Sequence, residues 1–228
     1  ESAPIDLTPP SLVSAAPISL ADLARDDREG AIALVRQALL DDPLILDEAF
    51  EGLEAARARQ AEQQFSQVIE ESGELLFSSR NSSVMGNPDG AITLVEFLDY
   101  NCHFCKQAHD DVMQLIAQND DLRVVVKDFP VLGPGSLEAA QVAIAFRTLG
   151  GDMPAFIDAM MREEDQPASA ELARSVALEL GADLIAIEEA LENPRLMDAG
   201  GEAYTLAEQL NIRGTPAFIV GEERLMGA

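Results

Sequence analysis

The sequence predicts an α/β domain in which a parallel strand–helix–strand unit comes first and antiparallel strands come last. Runs rich in Ile, Val, Leu and Phe predict the strands, at 91–98, 122–129, 217–220 and 222–226. Apolar residues three and four apart predict helices between them, at 102–118, 136–149, 154–162, 170–180, 184–191 and 198–210. This order is typical of an α/β domain with a helical block inserted between its two halves.

The residues before this domain predict a separate helical region. Residues 1–18 contain four prolines among small residues and are expected to be extended. We expect a helix at 19–40, interrupted near Gly30, and a second helix at 43–77 that begins at an Asp-Pro pair. Turns are expected at 78–90.

The second helix has two apolar patches, separated by a polar stretch whose only apolar residues are alanines. The first patch contains Leu46, Phe50 and Leu53, and the second contains Phe65, Val68, Ile69, Leu75 and Leu76. Either the helix packs along the following domain, or its first patch contacts other copies of the chain. We predict a lead-in at 1–18, a helical oligomerisation region at 19–83 and a domain at 84–228, with its helical insertion at about 134–195.

The composition limits the function and the compartment. The formal charge of −26 argues against a nucleic-acid partner, because phosphate recognition needs Lys and Arg, and Lys106 and Lys127 are the only lysines. No stretch reaches the ~18–20 uninterrupted apolar residues of a membrane helix. The N-terminus lacks the pattern of a signal peptide, so the protein is cytosolic or a signal has been removed.

Cys102 and Cys105, the only cysteines, lie where the first strand passes into a helix, and the only histidines, His103 and His109, lie within the same eight residues. A cysteine in the first turn of a helix meets unpaired N–H groups and the positive end of the helix dipole, which stabilise a thiolate. A protonated His103 adds positive charge beside it. We therefore expect Cys102 to be the attacking sulfur and Cys105 to be the resolving one.

Three other interpretations of the Cys-x-x-Cys pair are weaker. Cys102, Cys105 and His109 supply only three zinc ligands, whereas a structural site usually needs four. A purely structural disulfide gains little stability from so short a loop. Copper binding by the two thiols remains an alternative. We predict no metal site and no cofactor other than a redox-active Cys102–Cys105 disulfide.

Two further pairs of residues are candidates for the same site. Thr215-Pro216 precedes a strand at a place that suits a cis peptide bond, which would leave the preceding backbone groups free to pair with a substrate strand. Glu96 lies in an apolar strand, and Lys127 lies in the neighbouring one. They either form a pair that takes up and returns the Cys105 proton, or point to solvent.

These motifs resemble the DsbA-like thioredoxin-fold proteins of the bacterial periplasm over about residues 84–226. The matching segments are Val-Glu-Phe-Leu-Asp-Tyr-Asn-Cys-His-Phe-Cys-Lys, Val-Lys-Asp-Phe-Pro-Val-Leu, the helical block and Gly-Thr-Pro-Ala-Phe. The acidic helical N-terminus followed by Gly-Asn-Pro-Asp-Gly resembles the ScsC group (suppressor of copper sensitivity protein C) and the Com1 proteins. The family usually has a final helix after the closing hairpin, and this sequence stops at Ala228.

The resemblance implies a thioredoxin fold with an inserted helical block and an N-terminal oligomerisation extension. It implies Cys102 as nucleophile, Cys105 as resolving thiol, His103 as tuner of the thiolate, Pro216 as the cis proline after Thr215, and Glu96 as the buried acid. It also implies a periplasmic location, misfolded or disulfide-containing clients, and a membrane reductase of the ScsB or DsbD type. Some members of the ScsC group are trimeric disulfide isomerases.

The leading hypothesis is therefore a homo-oligomeric, trimeric protein disulfide isomerase or reductase with a Cys-His-Phe-Cys site, assembled through residues 19–77. The alternatives are a monomeric thiol oxidase that donates its disulfide, and a copper-binding thiol protein. Oligomeric state and partner distinguish the first two.

Overall fold

The computed structural model describes residues 27–227, without the side chains at 194–199. The chain divides into two compact units, 1–60 and 61–228. The predicted lead-in at 1–18 and the predicted helix start at Ser19 lie outside the described residues. Among the helices that the structure describes, none has the length and apolar character needed to cross a membrane.

Helix α1 spans Arg28–Asp41, and helix α2 spans Leu44–Ser78. Asp27 caps α1, because its Oδ1 accepts a hydrogen bond of 2.8 Å from the Gly30 N–H. Helix α1 thus begins close to the interruption predicted near Gly30, and the predicted helical residues before it, 19–26, lie outside the described residues. The long second helix is confirmed.

A five-stranded sheet, counted over the described residues, forms the centre of the second unit, with strand order β1-β3-β2-β4-β5. The strands are β1 (Ser83–Gly86), β2 (Ile92–Leu98), β3 (Leu122–Asp128), β4 (Ala217–Val220) and β5 (Glu223–Met226). Strands β2 and β3 are parallel, whereas β1, β4 and β5 pair antiparallel with their neighbours. The predicted parallel start and antiparallel end are confirmed.

The remaining helices of the second unit connect these strands. They are α3 (His103–Gln118), α4 (Pro134–Thr148), α5 (Met153–Arg162), α6 (Ala170–Glu179), α7 (Leu184–Leu191) and α8 (Pro194–Gln209). Helix α3 joins the parallel strands β2 and β3, and α4 to α8 lie between β3 and β4 in the sequence. The last of them begins four residues earlier than predicted, at a proline suited to the first turn of a helix.

Two hydrophobic cores lie against the sheet. The cysteine core holds both cysteines with side chains of β2, β3 and the inserted helices, including Leu98, Tyr100, Val124, Val126, Ala143, Phe146, Phe156 and Met160. The second core combines the other sheet residues with α2 and α8, and includes Phe65, Leu76, Val95, Phe97, Val125, Leu206 and Ile219. Since neighbouring strand residues point to opposite sides, alternate residues of β2 and β3 serve the two cores.

The beginning of the second unit differs from the expectation. Phe65 and Leu76, in the second apolar patch of α2, are buried in the second core, so this unit begins at Ala61 rather than at residue 84. The segment expected to consist of turns contains β1, which ends at Gly86 with a φ of 74°. A Cβ at Gly86 would lie 2.5 Å from the Leu122 carbonyl oxygen, so glycine permits this close antiparallel pairing with β3.

Candidate active site

The two cysteines lie at the junction of β2 and α3, where a sulfur atom caps the N-terminus of the helix. Cys102 is the N-cap of α3, and its Sγ accepts a hydrogen bond of 3.4 Å from the Cys105 backbone N–H. The same thiol donates to the Thr215 carbonyl oxygen at 3.2 Å. Both cysteines are free thiols in this structure. An N–H group of the helix end therefore faces the sulfur expected to carry negative charge.

Cys105 lies deeper than Cys102, with 0% of its surface exposed against 4%. Burial raises the pKa of the Cys105 thiol strongly, and the charge of Cys102 adds to this effect. The Asp99 backbone N–H and the Thr215 side chain act in the opposite direction on the pKa of Cys105. The second thiol is therefore held in its protonated form until a base removes the proton.

The backbone of Thr215 and Pro216 lies beside the sulfur of Cys102. The Thr215–Pro216 peptide bond is cis, and Ala217 follows it as the first residue of β4. Ala217 pairs with Phe97 of β2, next to the end of the strand that leads to the cysteines. This register brings residues more than a hundred positions apart in sequence to one site.

His103 is exposed, and its ring lies 5.8 Å from that of Phe104, whose surface is 56% exposed. His103 also lines a polar cleft of about 810 Å³ next to the cysteines. The other lining residues are Asn101, Lys106, Gln107, Asp110, Glu164, Asp165, Gln166 and Pro167. The exposed imidazole is thus available to a molecule that approaches Cys102.

The structure does not bring Glu96 and Lys127 together. Glu96 is in register with Val126, which belongs to the cysteine core, whereas Lys127 is in register with Phe97 of the second core. Because facing residues of parallel strands share one side of the sheet, the two side chains point to opposite sides. The predicted Glu96–Lys127 pair is wrong, and the alternative that they point to solvent is wrong too, since both are buried.

Glu96 lies on the same side of the sheet as the two thiols. Its partner in β4 is Phe218, which packs against the cysteine core. Burial raises the pKa of the Glu96 carboxyl from 4.5 to about 7. A carboxyl with this pKa gains and loses a proton near neutral pH, which suits a proton acceptor.

Lys127 instead holds the end of α2 against the sheet from the other side. Its Nζ lies 3.1 Å from Glu202 Oε1 and also donates to the Leu75 carbonyl oxygen. Burial acts to raise the pKa of Glu202, but hydrogen bonds from Ser79, Asn81 and Lys127 outweigh it and lower this pKa. Lys127 therefore has a structural role on the side of the sheet opposite the thiols.

His109 does not face the cysteines. Its Nε2 lies 2.9 Å from Asp158 Oδ1 of α5, so its partner is a carboxylate of the inserted helices. The three-ligand zinc set considered from the sequence is therefore not formed. Among the residues that the structure describes, no group of three or more His, Cys, Asp or Glu side chains is arranged to hold a metal ion.

Sequence reasoning missed the polar residues between β2 and Cys102. Asp99 is 1% exposed, and its carboxylate accepts three backbone N–H bonds. The Tyr100 hydroxyl donates to Asp128 at 2.9 Å, and Asn101 bonds both backbone groups of Ala168. The sequence did contain a signal for them. Asp99, Tyr100 and Asn101 are three consecutive residues with hydrogen-bonding side chains, and they lie between an apolar strand and the Cys-x-x-Cys pair.

Comparisons with known proteins agree with this geometry. A family model described as a DSBA-like thioredoxin domain matches residues 93–228. A thioredoxin-like oxidoreductase from Silicibacter pomeroyi is 34% identical, with a TM-score of 0.63 over 68% of this chain and 88% of its own. Proteus mirabilis ScsC in a compact conformation is 27% identical, with a TM-score of 0.62 over 88% of this chain and 98% of its own.

Curated relatives match through part of their length. The Na(+)/H(+) antiporter NhaA 3 of Salinispora tropica is 28% identical over 146 residues, which are 63% of this chain and 22% of that protein. The chain thus spans less than a quarter of the length of the curated relatives it matches.

Proposed function

The chain belongs to the family of DSBA-like thioredoxin domains, and we propose that it is a protein disulfide isomerase and reductase that acts as a homotrimer. The observation that carries this proposal is the sulfur of Cys102 at the N-terminus of α3, facing the Cys105 N–H and the Thr215 carbonyl oxygen. The Cys105 N–H is a donor to negative charge on this sulfur, and the Thr215 backbone leaves an edge beside it for an extended client segment.

The reaction begins when the Cys102 thiolate attacks one sulfur of a client disulfide. A mixed disulfide forms between Cys102 and the client, and the second client sulfur leaves as a thiolate and takes up a proton. If another client thiol attacks the mixed disulfide, the client disulfide is rearranged and Cys102 is released reduced. If Cys105 attacks Cys102 instead, the Cys102–Cys105 disulfide forms and the client is reduced by two electrons.

Attack by Cys105 requires removal of a proton from a thiol whose pKa burial raises. Glu96 lies on the same side of the sheet and has a pKa of about 7. In this proposal the Glu96 carboxylate takes up the Cys105 proton and returns it after reduction. His103, when protonated, adds positive charge beside the Cys102 thiolate.

The N-terminal unit supports assembly, because most of the large apolar side chains at 27–60, the part of this unit that the structure describes, are exposed. No residue of α1 is buried, and its exposed apolar side chains are continued by those at the start of α2. The exposed set comprises Ile32, Leu34, Val35, Leu40, Leu44, Ile45, Leu46, Phe50 and Leu53. Contiguous exposure on this scale marks a contact surface, and we assign it to two further copies of the chain. Several sites near one client raise its effective concentration and favour repeated exchange.

The proposed location is the periplasm, where a membrane reductase of the ScsB or DsbD type keeps the dithiol reduced. The clients are misfolded proteins with incorrect disulfides. A monomeric thiol oxidase is the second candidate, since the same Cys102 and Cys105 pair serves net oxidation of a client when it starts as a disulfide. Copper binding by the two thiols is a third.

Refolding of scrambled ribonuclease by the reduced protein tests the proposal. We expect recovery of ribonuclease activity with the wild type, none with Cys102→Ala, and trapped mixed disulfides with Cys105→Ala. Recovery by Cys102→Ala equal to that of the wild type would refute thiol exchange as the function. Oxidation of a reduced client without rearrangement of a scrambled one would favour the oxidase.

A further inference from the structure

The loop between α5 and α6 forms part of the polar cleft next to Cys102. It comprises residues 163–168, and residues 164–167, all of them exposed, line the cleft. The other lining residues are Asn101 and, on α3, His103 and residues of the following two turns. Since Asn101 and His103 are the neighbours of Cys102 in sequence, a client that reaches this sulfur also reaches the cleft.

The end of the loop before α6 is held by the residue that precedes Cys102. Asn101 Oδ1 accepts from the Ala168 N–H at 2.7 Å, and Asn101 Nδ2 donates to the Ala168 carbonyl oxygen at 3.0 Å and to Ser136 Oγ at 3.1 Å. These three bonds use the oxygen and both N–H donors of the carboxamide. A Cβ at Gly135 would lie 2.6 Å from the Ala168 carbonyl oxygen, so glycine in the first turn of α4 permits this end of the loop to pack closely.

The end of the loop after α5 is held by the residue that follows Cys105. The Lys106 ammonium donates to the Glu163 carbonyl oxygen, and the side chain of Lys106 is half-buried. Within the loop, Glu163 Oε1 accepts from the N–H groups of Asp165 and Gln166 at 2.8 and 3.3 Å. The two residues that flank the Cys-x-x-Cys pair in sequence thus fix both ends of one exposed loop.

We propose that Asn101 and Lys106 are positioning residues for protein clients, because they hold the 163–168 loop as a preformed wall of the cleft that receives the client segment beside the reacting cysteine. This inference rests on the proposed thiol exchange. Cys102 is 4% exposed, so a client sulfur reaches it only when the flanking client residues lie on the surface around it. The cleft of about 810 Å³ falls within the range of about 300–1,000 Å³ that binding sites occupy, and its polar lining suits a hydrated, unfolded segment. A loop that is already ordered lowers the entropic cost of binding.

The contacts separate client binding from the reactivity of the nucleophile. The sulfur of Cys102 bonds the Cys105 N–H and the Thr215 carbonyl oxygen. Neither bond involves the side chain of Asn101 or of Lys106. Loss of either anchor of the loop should therefore weaken the binding of a protein client and leave the attack on a small disulfide nearly unchanged.

The test uses the full reduced chain and two disulfides of different size. Loss of the free dithiol is followed in single turnovers at increasing concentrations of insulin, which gives a half-saturating concentration and a limiting rate. Attack on 2-hydroxyethyl disulfide, which is too small to fill the cleft, gives the reactivity of Cys102 alone. The variants are Asn101→Ala, Lys106→Met and Lys106→Arg. The matched control is Asn119→Ala, which removes a carboxamide from the other end of α3.

We expect Asn101→Ala and Lys106→Met each to raise the half-saturating insulin concentration by about five- to tenfold, because a loop released at one end must be ordered when the client binds. The limiting rate and the rate with 2-hydroxyethyl disulfide should change by less than about twofold. Lys106→Arg keeps a charged donor at this position and should bind insulin within about twofold of the wild type. Asn119→Ala should match the wild type in every measurement.

Equal slowing of the insulin and 2-hydroxyethyl disulfide reactions in Asn101→Ala would show that this residue acts on Cys102 and would overturn the assignment. So would an unchanged half-saturating concentration in Lys106→Met. Gly135→Ala is a further variant that alters neither charge nor either anchoring side chain, and its Cβ displaces the Ala168 carbonyl oxygen. It should also weaken insulin binding, and wild-type binding in this variant would contradict the role of the loop.

Two outcomes keep this inference separate from the proposed function. If Asn101→Ala does not fold, Lys106→Met and Gly135→Ala decide. A wild-type chain that reduces insulin but does not refold scrambled ribonuclease would overturn the isomerase function and leave the role of the 163–168 loop to be decided by its own variants.

Discussion

Replacement of Glu96 by Gln should stabilise the protein above neutral pH and have little effect at acid pH. Glu96 is buried on the side of the sheet that faces the cysteine core, and this burial raises the pKa of its carboxyl from 4.5 to about 7. Between these two pH values the folded chain keeps a proton that the unfolded chain has released. The free energy of unfolding therefore falls as pH rises through this window.

The size of the effect follows from the two pKa values. Each unit of difference corresponds to about 1.36 kcal/mol, so a rise of the pKa from 4.5 to about 7 costs the folded state about 3 kcal/mol at pH 8. Below pH 4.5 both states carry the proton and the cost disappears. Glu96→Gln removes the charge and its burial cost, so the variant should gain up to about 3 kcal/mol over the wild type at pH 8 and almost nothing at pH 4.

Urea unfolding of the reduced full chain between pH 4 and pH 8, at one protein concentration, measures this difference. Glu138→Gln, in which an exposed carboxylate of α4 is replaced, is the control and should show no such pH dependence. Subtraction of wild type from variant removes the contributions of groups that the replacement leaves unchanged. A stability difference that stays constant from pH 4 to pH 8 would refute the burial argument. The same variant should resolve mixed disulfides more slowly, because Gln cannot accept the Cys105 proton.

Two further predictions concern the structure around the site. Lys127→Ala should lower the free energy of unfolding by about 3 kcal/mol, because the partly buried Glu202 loses its cation and the Leu75 carbonyl oxygen loses its donor. The double variant Lys127→Met with Glu202→Gln should recover part of that loss in urea unfolding, and full stability in Lys127→Ala would contradict the pairing. Leu46→Asp with Phe50→Asp should lower the mass measured by light scattering toward that of one chain, because charges replace exposed apolar contacts. Reduction of insulin per chain should stay the same in this variant, whereas an unchanged mass would count against assembly through these residues.

The strands and helices were predictable where the hydrophobic periodicity agreed with the Gly, Pro and capping residues that mark the ends of an element. The apolar run before the Cys-x-x-Cys and the triple valine of β3 gave their strands nearly to the residue, and α7 was predicted with its observed bounds. Strand β1 could not be predicted, because four residues with one glycine carry no pattern of their own. Its strand conformation depends on pairing with β3, which is a contact distant in sequence.

The cysteines and the cis proline were found because their chemistry is local to short motifs. The Glu96–Lys127 pair was mistaken because proximity of two strands does not determine which side of the sheet each side chain occupies. Glu96 pairs with Val126, and Lys127 is the next residue of the same strand. Because neighbouring strand residues point to opposite sides of the sheet, the Lys127 ammonium lies on the side of the second core. The register follows from the packing of both cores, so no short motif could have revealed it.

Two buried carboxyl groups contribute to the site in different ways, that of Glu96 within β2 and that of Asp99 directly after it. Asp99 has three N–H donors within 2.9 Å, which lets its carboxylate serve as a fixed acceptor that shapes the backbone. For Glu96 burial alone determines the direction of the pKa change, which makes its carboxyl exchange protons near neutral pH. The different surroundings of these two groups give them different uses, since Asp99 fixes the backbone that bonds the Cys102 N–H, whereas Glu96 has a pKa that lets it take the proton that Cys105 must lose.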